Sequence, residues 1–281
     1  MKNFRKVFAA VFLIIQISHS SLCVDNCEAQ WVQTNGPFGG SVYCVAISGN
    51  NIFAGAEGGV FLSTNNGGNW TSVNNGLSNN FVNSLAISGS KIFAGTTSTT
   101  SGGGVFISTN NGANWTAVNN GLPNRQIYSL VISGNKIFAG SYLGGVYLST
   151  NNGANWTPAG LPSLTVQSLA IDGDRLFAGT FGSGVFLSTN NGVNWTSAGL
   201  ANQYVYSLVV SGSFLFAGIS YYGVYLSIDN GQNWSPSGIS YETVGCLALS
   251  GNNLYAGTGD FSNEGGVYLS TNFGGNWTST G

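Results

Sequence analysis

The chain has 281 residues, 43 of them glycine, with only 6% charged side chains and a formal net charge of −2. Its cations are too few to neutralise a nucleic-acid backbone or to hold a polybasic membrane contact. The single histidine, His19, lies in a stretch that reads as a leader; the rest has no imidazole for a Ser-His-Asp or Cys-His triad, a His general base or a His-held metal.

Lys2, Arg5 and Lys6 precede an almost unbroken apolar run over residues 7–17. That is the length of a signal-peptide core and too short to span a bilayer as a helix. Residues 1–23 read as a signal peptide, with cleavage expected between 18 and 24. Leu22 is a poor fit to lipoprotein processing at Cys23. Residues 24–281 read as one domain of a secreted, periplasmic or cell-surface protein, with no transmembrane segment and a monomeric state expected. It carries Lys91, Arg125, Lys136 and Arg175 against nine acids, so its charge is 4 − 9 = −5.

From Trp31 onward the tryptophans recur at spacings of 39, 45, 41, 39, 39 and 43 residues. A period near forty with strand-like segments marks a radial repeat. In one repeat, residues 166–171 form an apolar first strand and 172–174 a hairpin turn. Residues 175–179 form a second strand, 184–188 a third, and 194–196 begin a fourth. No segment has helical periodicity of useful length. The fold class expected is all-β, a β-propeller of four-stranded antiparallel blades. Its first strands begin at Val42, Val82, Ile127, Val166, Val205 and Val244.

Each third strand runs into a turn of the form Ser-Thr-Asn-Asn-Gly-x-Asn-Trp, as in Ser63, Asn65, Gly67 and Trp70. Asn side chains bond nearby backbone, glycine takes positive φ, and the indole packs with its N–H seeking an acceptor. These residues therefore read as structural, as do Trp115, Trp156, Trp195, Trp234 and Trp277. Asn-Trp-Thr/Ser sequons such as Asn69 follow from the same turn.

Ser-x-Asp-x-Gly-x-x-Trp is the Asp-box, or bacterial neuraminidase, repeat, and residues 31–281 resemble that family. Five copies have Asn65, Asn110, Asn151, Asn190 and Asn272 in place of the acid, and only Asp229 keeps it. The resemblance implies a propeller whose boxes lie away from the functional face. Sialidases of the family have an arginine triad and a Tyr–Glu pair; here only Arg125 and Arg175 follow the leader. The chain is more similar to noncatalytic Asp-box propellers, the photosystem II assembly and stability factor group and the sortilin ectodomain. That likeness implies a binding module.

Six complete repeats are present, and Trp31 opens an extra outer strand. A truncated seven-bladed ring is one reading. Cys44 and Cys246 argue for six: they occupy the slot that is Ser84, Ser129, Ser168 and Ser207 elsewhere, in the first and last copies only. A six-bladed ring would make those copies neighbours, and a disulfide is a candidate in an exported protein. Cys23 and Cys27 are a second candidate pair.

Loops between second and third strands share a face with the linkers between blades, and the copies differ there. That face offers Tyr142, Phe181, Tyr204, Tyr221, Tyr222, Tyr241 and Phe261 beside Glu57, Glu242, Asp260 and Glu264. Divergence on a rigid scaffold is what a binding face looks like. The expected function is noncatalytic binding of a protein or carbohydrate, with no catalytic residue and no required cofactor, though hard oxygens there suit Ca²⁺. The alternatives are a glycoside hydrolase using these carboxylates and a structural or adhesion protein.

Overall fold

The computed structural model describes residues 34, 36–37, 40–78, 81–97, 103–123, 126–259 and 265–280. The expected signal peptide, Trp31, Cys23, Cys27, Arg125, Asp260, Phe261 and Glu264 lie outside these residues.

The fold is an all-β propeller of six blades, each a four-stranded antiparallel sheet in chain order. The blades span residues 42–72, 82–117, 127–158, 166–197, 205–236 and 244–279. Their first strands start at the six residues read from the sequence: Val42–Ser48, Val82–Ser88, Ile127–Ser133, Val166–Asp172, Val205–Ser211 and Val244–Ser250. The fourth strand is shorter than expected. In blade 4 it is Thr196–Ser197, and Trp195 just before it packs against the core shared by blades 3 and 4.

Packing between blades follows from residue size. The second strands bury a phenylalanine each in blades 1–5, at Phe53, Phe93, Phe138, Phe177 and Phe216. Full burial of such a ring is worth about 2–3 kcal/mol. Two positions later a glycine lets the next blade close in: a Cβ on Gly55 would lie 2.7 Å from Val82 Cγ1. The core is thus a series of clusters, each shared by two consecutive blades.

The box turn is built around its serine. Ser63 Oγ accepts from Gly67 N at 2.8 Å and donates to Asn65 Oδ1, which accepts from Asn69 N at 2.8 Å. The side-chain bonds therefore reach both two and four residues on and close the whole turn. Gly67 sits at φ 82° and Asn66 at φ 55°. In blades 2–6 the indole N–H donates to a carbonyl of the preceding blade, at Val73, Val118, Ala159, Ala198 and Ser237.

A second set of links crosses the junctions on this face. Lys91 donates to Asn152, Lys136 to Asn191 and Arg175 to Asn230. At the next junction the same places hold Phe214 and Phe273, stacked at 4.6 Å. Arg175 also pairs with Asp172 at 2.6 Å. It belongs to the box face.

The expected Cys44–Cys246 disulfide is not formed. Cys44 Sγ instead donates to Val82 O at 3.8 Å, facing blade 2. The same slot in blade 5 also faces the following blade, where Ser207 Oγ accepts from Leu247 N at 2.9 Å. First strands pack serially from blade 1 to blade 6; among the described residues, the first strands of blades 6 and 1 do not pack in that manner.

Candidate functional site on the variable face

The face opposite the boxes is organised by a β-bulge at the start of every first strand. In blade 1, Val42 pairs with Ala56 and Cys44 with Gly55, so the register shifts at Tyr43. The same shift falls at Asn83, Tyr128, Gln167, Tyr206 and Gly245. Bulges re-aim side chains, and here they set six residues at the variable-face end of the innermost strands.

These six form an inner circle, and the residues just after the second strands form an outer one. Tyr43 Oη donates to Glu57 Oε1 at 2.9 Å, and Asn83 Nδ2 to Thr97 Oγ1 at 3.0 Å. The Tyr128 and Tyr142 rings meet edge-on at 6.4 Å. Tyr206 is hydrogen-bonded to the Ser220 hydroxyl. Burial pushes the Tyr128 phenol up, with the Tyr142 phenol adding to it. Burial also raises Tyr206, against the Ser220 hydrogen bond and with Tyr221 and Tyr204 adding. Both remain protonated donors at neutral pH.

The aromatic residues expected on this face gather over blades 3 to 5 and the linker after blade 5. Phe181 and Tyr204 pair through an isolated bridge with ring centroids 4.4 Å apart. Tyr204 and Tyr221 are close enough to Tyr206 to act on its phenol electrostatically. Gly223 N donates to Glu242 O at 3.0 Å, tying the Tyr222 loop to the linker that bears Tyr241 and Glu242. Tyr241 is 90% exposed and Tyr221 62% exposed, and Phe81 is exposed on blade 2.

Several of these residues are held in left-handed backbone. Tyr221 has φ 60° and Tyr241 φ 68°; Leu143 has φ 49°. Gly182 occupies the equivalent loop position in blade 4, at φ 90°. Left-handed geometry costs a side chain about 1–2 kcal/mol over glycine. Backbone bonds sustain it: Leu143 N donates to Thr165 Oγ1 at 3.1 Å and Tyr221 N to Thr243 Oγ1 at 3.2 Å. The loop backbone at Leu143 and Tyr221 is thus tied to the threonine of the following linker.

The acids are not brought together among the described residues. Glu57 sits on blade 1, bonded by Tyr43, and Glu242 on the linker between blades 5 and 6. No group of three His, Cys, Asp or Glu side chains assembles in the described part. Sequence reading missed the inner circle. Its only signal was the residue after each initial Val or Ile, which varies between tyrosine, amide and glycine.

With this geometry in place, comparison with known proteins adds the following. The sequence matches the DUF6242 beta propeller domain over residues 11–139, less than half of the chain. No curated protein matches it. The structure is similar to YCF48 from Cyanidioschyzon merolae, with 15% identity, 89% of this chain and 88% of that one covered, and a TM-score of 0.68. It is similar to YCF48 bound to D1 peptide, at 15% identity, 88% and 82% coverage and a TM-score of 0.65. The extracellular domain of BT4673 from B. thetaiotaomicron resembles it at 19% identity and a TM-score of 0.65, covering 82% of this chain. This chain spans only 32% of that domain's length. At these identities the likeness is one of fold. No helix among the described residues is long and apolar enough to cross a membrane.

Proposed function

We propose that the protein is an exported, noncatalytic binding propeller of the Asp-box type, which contacts a protein or carbohydrate ligand through its variable face. The observation that carries this is the contrast between faces. The box face repeats one hydrogen-bonded turn six times, whereas the other face concentrates exposed tyrosines over blades 3 to 5 and fixes two of them at positive φ. Aromatic rings with fixed backbone supply contact area at low entropic cost. YCF48 has been seen bound to a peptide, which supports a peptide-binding use of the fold. The box geometry, Ser Oγ to Gly N and Asx Oδ1 to Asn N, supports the Asp-box assignment.

The test is an array of neutral oligosaccharides and of extended peptides, probed with the purified protein and with Tyr221→Ala and Tyr241→Ala variants. Both tyrosines are exposed, so the variants keep the fold. A ligand whose binding falls about tenfold or more in either variant supports the assignment, in line with aromatic hot spots. Ligands that bind with equal affinity to both variants would remove this face from the account.

A further inference from the structure

We infer that the variable face takes an extended peptide bearing arginine, whose guanidinium groups lie on Tyr221 and its aromatic neighbours and pair with Glu242. The inference rests on the binding role proposed above for this face and names the ligand chemistry.

Charge is segregated between the two faces. Four cations follow the leader, and the three described ones all reach box turns. Lys91 donates to Asn152, Lys136 to Asn191 and Arg175 to Asn230. The described acids of the variable face are Glu57 and Glu242, and the phenols of Tyr128 and Tyr206, raised by burial, stay neutral beside them. Among the described residues that face is therefore anionic and aromatic, with no cation of its own.

Glu242 is a half-buried acid without a partner. Glu57 accepts from Tyr43 Oη, Asp172 pairs with Arg175, and Asp229 accepts from Asn233 and Ser227. The Glu242 carboxylate has neither a hydrogen bond nor an ion pair among the described residues, although part of its surface is withdrawn from water. A carboxylate so placed gains more than a fully solvated one from a cation that arrives with a ligand.

The surroundings of Glu242 are rings. Gly223 N donates to Glu242 O at 3.0 Å and Tyr221 N to Thr243 Oγ1 at 3.2 Å, so the loop bearing Tyr221 and Tyr222 lies against the linker bearing Tyr241 and Glu242. All three tyrosines are exposed. Exposed Phe181 and Tyr204, paired edge-on, continue the aromatic surface onto blade 4.

Rings beside a carboxylate fit one side chain best. An arginine guanidinium stacks on an aromatic face and forks onto a carboxylate, where lysine offers a point charge. A neutral or acidic sugar brings no cation to Glu242, whereas a peptide brings one at every arginine. The exposed rings run from blade 4 to the linker after blade 5, which suits an extended segment better than a single free amino acid.

The probes are two fluorescent octapeptides, arginine alternating with serine and citrulline alternating with serine. Citrulline keeps the shape of arginine and removes its charge. By anisotropy with the purified protein, the arginine peptide is expected to bind at least about tenfold more tightly than the citrulline one. Glu242→Gln and Tyr221→Ala should each weaken it about five- to tenfold, and raising salt from about 50 mM to about 500 mM should weaken it several-fold. Asp174→Asn, the same change of charge in the exposed turn on the box face, should leave it unchanged. No binding of the arginine peptide at about 1 mM, equal affinity for the two peptides, or equal effects of Glu242→Gln and Asp174→Asn would each overturn the inference. A sugar or uncharged peptide that binds through Tyr221 without dependence on Glu242 would overturn it while leaving the binding role of the face in place. Arginine-peptide affinity unchanged in both Tyr221→Ala and Tyr241→Ala would remove the two together.

Discussion

Asp229 stands where five other boxes have asparagine, and its environment shows why both residues serve. The Asn233 backbone N–H, the Asn233 side-chain amide and the Ser227 hydroxyl hold its carboxyl down at about 2, from an ordinary 3.8. A lowered folded-state value stabilises the native state above the unfolded value and is lost as pH falls through the folded one. The contribution of Asp229 is therefore full above about pH 4 and declines toward pH 2. Asp229→Asn is expected to keep the fold and to remove this part of the acid limb, which carboxyl NMR titration and urea midpoints between pH 2 and 5 would register. At the same scale, burial pushes the Cys44 thiol up to about 12, against the hydrogen bond with the Gly55 backbone. Only the thiolate reacts. Alkylation of Cys44 at pH 8 should be at least about a hundredfold slower in the folded protein than in urea; equal rates would contradict its burial.

Among the devices that join blades is the box tryptophan, which in blades 2–6 reaches back to the preceding blade. Trp156 is 3% exposed and donates to Val118 O at 2.8 Å. Trp156→Phe loses that bond, leaves a carbonyl without its donor and opens a small void, a loss of about 2–3 kcal/mol. Trp70→Phe gives up no bond and should cost about 1 kcal/mol or less. Urea unfolding of the two variants side by side checks the difference, and equal losses would show that the indole bond contributes nothing. The elements were largely legible in the sequence. Six Val or Ile heads announced the first strands, and Asn-rich turns announced their ends. The bulge was not legible, because a shift in ladder register is a backbone property and Tyr43, Asn83, Gln167 and Gly245 share no chemistry. The disulfide failed for a related reason. Cys44 and Ser207, in the same repeat slot, both face the following blade, which periodicity alone does not reveal.

At the scale of the whole molecule, conserved geometry and variable chemistry lie on opposite faces. The aromatic positions were read from the sequence as places where the copies disagree, and in the structure Phe181 packs edge-on against Tyr204. What the sequence could not show was the backbone holding Tyr221 and Tyr241 at positive φ, since that depends on contacts such as Thr243 Oγ1 in the next linker. Removing that support has a specific consequence. Thr243→Val deletes the acceptor for Tyr221 N while keeping side-chain shape, so ligand affinity should fall several-fold with little change in melting temperature. A matching loss of stability would make the bond a fold element instead. The most direct measurement is amide hydrogen exchange with and without a ligand found on the array. Protection is expected over 141–145, 180–184, 203–206, 219–223 and 239–243, with the box turns unchanged. Protection confined to the box turns, such as 63–70 and 227–234, would contradict a binding role for the variable face.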